Sequence, residues 1–139
     1  MIASPVDERL RLTQYVMQLM DDWGLMARDI VSLLRLPESI KPRQIGRFRD
    51  QEPFPDEPLI NRRLAYLVRI DQALLTYFPR NPEMRRLWMR RANKQFGHRA
   101  PLAVMIEDGE SGLISVLSYL DCTFAWDLTG SRADYRQAV

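Results

Sequence analysis

Apolar residues recur at helical spacing along most of the chain. Leu12, Val16, Leu19, Met20 and Trp23 fall on one stripe, which predicts a helix over about 6–22, started by Ser4-Pro5 and stopped by Gly24. Ala27, Ile30, Val31 and Leu34 predict a second helix over about 27–36, ended by Pro37. Pro42 opens a short third helix over about 42–50 with Ile45 and Phe48 inward. Gly46 weakens it by about 1 kcal/mol relative to Ala. The stretch Gln51–Pro58 holds three prolines and reads as a stiff extended connector, the best domain boundary in the chain.

Four more helices are expected beyond it. A long one spans about 59–77, with Ile60, Leu64, Leu67, Val68, Leu74, Leu75 and Phe78 as its apolar face. After a break at Phe78–Pro82, Met84, Leu87, Trp88 and Ala92 carry a helix over about 82–93. Phe96–Ala100 is a turn, and Pro101 opens a short helix with Leu102, Met105 and Ile106 inward, closed by Asp108-Gly109-Glu110. Ser111 is placed to cap the last helix, striped by Leu113, Val116, Leu117, Leu120 and Phe124. No segment alternates at period two, so the fold is expected to be all-α. At 139 residues it fits one domain, or two very small ones sharing a core.

Composition narrows the function. No apolar run approaches the roughly 20 residues a membrane span requires, and the first eight residues lack the basic-then-apolar order of a signal peptide. Cys122 is the lone cysteine, which excludes an intrachain disulfide and points to a reducing cytoplasm. With His98 as the lone histidine, a structural zinc site lacks ligands, and catalysis by an acid–base histidine is disfavoured. No catalytic residue, metal or cofactor is therefore expected.

Net charge is only +2, but it is unevenly spread. Residues 61–100 carry 10 basic and 2 acidic side chains, whereas 101–139 carry 2 basic and 6 acidic ones. The basic centre suits anions and the acidic end suits a cationic surface. Eighteen of the 20 basic residues are Arg, which fits bidentate contacts to phosphate or carboxylate but equally a coding bias. The helices at 27–36 and 42–50 have the sizes of a helix-turn-helix. Arg43, Gln44 and Arg47 are expected on its outer face to read bases, with Lys41 and Arg49 on phosphates. A plain helical hairpin with a solvated polar face explains the same pattern. Tyr119, Asp121, Phe124, Trp126 and Asp127 read either as a protein-binding edge or as the end of the core.

The segment Arg86-Leu87-Trp88-Met89-Arg90-Arg91-Ala92-Asn93-Lys94-Gln95-Phe96-Gly97, then Pro101-Leu102, Gly109, Gly112, Val116 and Tyr119-Leu120-Asp121, resembles the C-terminal toxin-binding domain of Xre/MbcA/ParS-type antitoxins. The resemblance runs over about 60–126, and Trp23-Gly24-Leu25 through Arg49 resembles the Xre-like helix-turn-helix that precedes that domain. It implies a helix-turn-helix over 1–58 packed with a toxin-binding helical domain over 59–139. It further implies a cytoplasmic antitoxin that blocks an NAD-degrading RES-domain toxin, represses its own operon by binding operator DNA, and forms a homodimer or higher oligomer. By position Tyr119, Asp121, Trp126 and Asp127 would face the toxin, through the last helix or through the tail from Leu128 to Val139. A stand-alone helix-turn-helix regulator is the rival reading.

Overall fold

A computed structural model describes the backbone of residues 4–129 and the side chains through Asp121. The described chain is all-α, with six α-helices and two short 3-10 segments. Helix α1 spans Pro5–Asp22, α2 Ala27–Leu34, α3 Pro58–Tyr77, α4 Pro82–Arg90, α5 Pro101–Asp108 and α6 Glu110–Thr129. The 3-10 segments are Pro42–Phe48 and Lys94–Phe96.

Helix starts follow the expected chemistry. The Asp7 N–H donates to Ser4 Oγ at 3.2 Å with Pro5 next in line, and the Met84 N–H donates to Asn81 Oδ1 at 3.1 Å with Pro82 opening α4. Gly24, at φ +80°, stops α1. Helix α2 ends at Leu34, short of Pro37, because Arg35 turns left-handed at φ 52° and the Leu36 N–H closes back on Val31 O at 3.1 Å. Ser111 does not cap α6. The helix starts one residue earlier, and the Ser111 hydroxyl donates to Asp108 O at 3.0 Å.

The third helix is not an α-helix. Ile45 and Phe48 are three residues apart, and a three-residue turn buries both, to 1% and 0% exposure. The change of period separates the expected outer face: Arg43, Gly46 and Arg49 fall in one row, Gln44 and Arg47 in another.

The core is one contiguous cluster drawn from both halves of the chain, including Met17, Met20, Ile30, Leu33, Phe48, Ile60, Leu67, Ile70, Met105 and Val116. Helix α3 is its hub: α6 has its most extensive packing there, and α1 and α2 reach the same helix. On α4 the inward residue is Met89, while Leu87 is exposed and Ala92 lies past the helix end. Leu75 of α3 is likewise exposed.

The proline-rich connector is a packed strap. Phe54 is 1% exposed with its ring 5.0 Å from that of Phe48. Its N–H donates to Thr13 Oγ1 at 2.9 Å, and Thr13 Oγ1 donates in turn to Arg9 O at 2.8 Å. The Arg9 guanidinium donates to Phe54 O, Pro55 O and Asn61 Oδ1 at 2.8, 2.5 and 2.7 Å. Proline removes local hydrogen-bond donors, so side chains of α1 supply the partners that the strap cannot find in itself. Replacing buried Thr13 with Val keeps the shape and orphans the Phe54 N–H. Thr13→Val is expected to lower unfolding free energy by about 1–3 kcal/mol in urea titration, with no change in the m-value.

Candidate protein-binding face

The site begins at the corner between α5 and α6. Gly109 sits at φ 66° and ψ −134°, a combination that only glycine adopts without strain. At Gly112 a Cβ would lie 2.2 Å from Val104 O and 2.8 Å from its carbonyl carbon. The two helix backbones therefore touch there, and the direction of α6 is fixed. Leu113, Val116, Leu117 and Leu120 are buried beneath it, as the periodicity predicts.

That direction brings Tyr119 to the aromatic residues of α4 and the turn after it. Tyr119 stacks on Trp88 with centroids 6.2 Å apart at 15°, and meets Phe96 edge-on at 5.6 Å and 70°. Trp88 and Phe96 complete the triangle at 6.5 Å and 85°. Such offset and edge contacts are worth about 0.5–1.5 kcal/mol each beyond burial. Phe96 is held in place by a closed turn: the Gln95 N–H donates to Asn93 Oδ1 at 2.9 Å, the His98 N–H to Asn93 O at 3.0 Å, and the Asn93 N–H to Arg99 O at 3.1 Å. Gly97 and His98 both carry positive φ in this turn, which accounts for His98 as a bend residue beside the glycine.

Tyr119 lines two clefts. One, of about 110 Å³, is bounded by Tyr77, Phe78, Trp88 and Leu120; the other, of about 520 Å³, by Phe96, Gly97, Arg99, Val104 and Ser115. Aromatic walls with a polar rim are the surface type on which a protein partner finds anchor pockets. Asp121 is exposed at the edge and accepts from Arg69 Nη2 at 3.1 Å. Trp126 and Asp127 lie outside the described side chains. Trp88 and Phe96 belong to the face although the sequence reading placed neither among its binding residues. Their spacing around Asn93 and Gly97 was the available signal, but it does not tell which way the turn folds.

The N-terminal candidates are arranged differently. Lys41 and Arg43 are exposed. Gln44 Oε1 accepts from the Lys41 N–H at 2.8 Å, which makes it a cap of its own turn. Arg47 pairs with Glu52 at 2.9 Å and lies 5.2 Å over the Phe48 ring. Arg49 grips Asp21 through two bonds of 2.9 and 2.8 Å, which raise its pKa.

The arginine-rich centre divides. Arg85 donates to Phe78 O at 2.5 Å, and Arg90 to Trp23 O at 2.9 Å and Gly24 O at 3.3 Å. Arg62 pairs with Glu110 at 2.5 Å and Arg99 with Asp108 at 2.8 Å. Arg80, Arg86, Arg91 and Lys94 make no ion pair with a described residue. Elsewhere, a cleft of about 530 Å³ between α1, α3 and α4 holds mixed charges. In it the Tyr15 hydroxyl donates to Asp71, and burial together with that carboxylate pushes its pKa up to about 12. No group of three or more metal-ligating side chains occurs among the described residues. No described helix is long and apolar enough to cross a membrane.

Residues 73–123 match the family model of the antitoxin Xre/MbcA/ParS C-terminal toxin-binding domain. The matched stretch runs from the second half of α3 into α6 and contains Trp88, Asn93, Phe96, Gly97, Gly109, Gly112, Tyr119 and Asp121. It is shorter than the resemblance read over about 60–126, and does not reach Trp126 or the helices before α3. No curated protein matches the chain. The corner glycine is the point at which this arrangement can be tested. Gly112→Ala forces a methyl group into the Val104 backbone, which has nowhere inexpensive to move. The expected loss is about 2–3 kcal/mol, seen as a Tm lower by on the order of 10 °C, and altered near-ultraviolet dichroism of the Trp88–Tyr119 stack.

Proposed function

We propose that this chain is the antitoxin of a toxin–antitoxin pair, and that the face built by α4, the 93–99 turn and α6 holds the toxin. The observation that carries the reading is spatial. The stretch matching the toxin-binding domain coincides with the three-ring cluster of Trp88, Phe96 and Tyr119 and the two clefts beside it. Half-buried rings at a rim that is part polar supply binding energy without needing a large apolar patch.

The toxin we infer is a RES-domain enzyme that consumes NAD. This rests on the resemblance of the 86–121 motif and on charge. A pocket shaped for an anionic dinucleotide is lined by cations, and six acidic residues against two basic ones after residue 100 complement it. Tyr119, Asp121, Trp126 and Asp127 are the proposed contacts, and assembly as a homodimer or larger oligomer belongs to the same reading. Repression of its own operon is the second part of the proposal, through the α2–turn–Pro42–Phe48 unit. Lys41 and Arg43 are exposed for phosphate or base contact, whereas Gln44, Arg47 and Arg49 must first exchange internal partners for DNA.

Co-expression with the product of an adjacent gene tests the first part. That product alone is expected to arrest growth, and this chain to restore it. In purified proteins, Asp121→Ala with Asp127→Ala is expected to weaken toxin binding about tenfold, chiefly through slower association that depends less on salt. Unchanged affinity would discard the charge argument, and a partner gene without effect on growth would discard the antitoxin reading.

A further inference from the structure

Arg63 is a buried cation without a counter-ion among the described residues. It is 5% exposed, in the second turn of α3. Its Nη1 donates to Leu33 O at 2.8 Å, whereas its Nε is buried without a partner among the described residues. Glu110, the acidic group that favours its charge, is already gripped by Arg62 at 2.5 Å. Burial lowers the pKa of Arg63, and the neighbouring charge of Arg35 lowers it further. A guanidinium stays protonated in spite of this, so the fold carries an uncompensated charge.

The same guanidinium lines a cleft of about 470 Å³ between the end of α2 and the α5–α6 corner, together with Ser32, Arg35, Asp108 and Gly109. A Cβ on Gly109 would stand 3.5 Å from Arg63 Nη2, at ordinary contact distance. Glu107 also lines the cleft, and α6 starts outside it, directly after Gly109. The acidic residues at the rim are occupied by Arg99, Glu107 at 3.8 Å and Asp108 at 2.8 Å. They leave Arg63 and Arg35 unneutralised.

We propose that this cleft is a phosphate-binding site, in which one phosphate group lies between Arg63, Arg35 and the Gly109 corner. Two guanidinium groups, one on α3 and one in the turn that ends α2, offer more donors than the two oxygens of a carboxylate use, and they match the oxygens of a phosphate monoester. The cleft adjoins that of the aromatic face, with which it shares Asp108, and contains none of the three rings.

The test uses the full chain and inorganic phosphate. Thermal unfolding is followed in sodium phosphate, sodium acetate and sodium chloride at matched ionic strength near neutral pH, and binding is read from ³¹P line broadening. Phosphate is expected to raise Tm above the value in chloride, and acetate is not. Arg35→Gln, a surface change, is expected to weaken phosphate binding about tenfold, the loss of one charge-assisted contact. Arg63→Met removes both the charge and the donor to Leu33 O; it is expected to fold with a lower Tm and to lose the phosphate effect. Stabilisation equal in phosphate and chloride overturns the proposal, as does undiminished binding by Arg35→Gln. Equal stabilisation by acetate also overturns it and assigns the cleft to carboxylates.

Discussion

Backbone contact at the α5–α6 corner governs the second half of the molecule. With no side chain at Gly112, Val104 and the first turn of α6 meet at a distance that excludes a methyl group. The helix can leave that corner in one direction only. Everything that gives the candidate face its chemistry follows from it: the buried row from Leu113 to Leu120 against α3, the Tyr119 ring on Trp88, and Asp121 beside Arg69. Sub-ångström tolerances of this kind are transmitted because packed interiors deform little. A displacement at the corner is felt at the ring cluster two turns away.

A second theme is the use of arginine as a clamp on backbone carbonyls. Arg9 holds the strap, Arg63 the end of α2, Arg85 the end of α3 and Arg90 the end of α1. The last carbonyls of a helix lack partners within it, and the planar fork of arginine reaches such acceptors with little loss of freedom. Within residues 61–100, Arg63, Arg85 and Arg90 bond such carbonyls, and Arg62, Arg69 and Arg99 sit in ion pairs. Much of the basic centre is therefore internal scaffolding, and the cations left for partners are the smaller set around Arg80, Arg86, Arg91 and Lys94.

The two ends of the chain consequently differ in readiness. On the aromatic face the rings are already arranged, so a partner meets a preorganised surface and forfeits little side-chain freedom. On the Pro42–Phe48 segment, three of the five polar residues expected at DNA have partners within the chain. Engaging DNA there requires those contacts to be traded, and the exposed pairs among them are worth little each. The two faces are joined through one core, so α3 couples them mechanically without a hinge at the proline strap.

The sequence by itself determined the all-helical class, the starts of α1 and α4, the inward residues of α1 and α6, and the resemblance confirmed over residues 73–123. These are local or periodic properties: a cap lies within three residues of its partner, and a buried stripe repeats every turn. Tertiary structure decided the rest. It made Pro42–Phe48 a 3-10 segment while keeping Ile45 and Phe48 buried on one side. It turned the proline connector into a strap through Thr13 and Arg9, more than 40 residues away in the chain. It selected Met89 over Leu87 as the buried residue of α4, and set Trp88, Phe96 and Tyr119 on one another. Each of these depends on contacts between segments distant in sequence, whose distances no spacing rule contains.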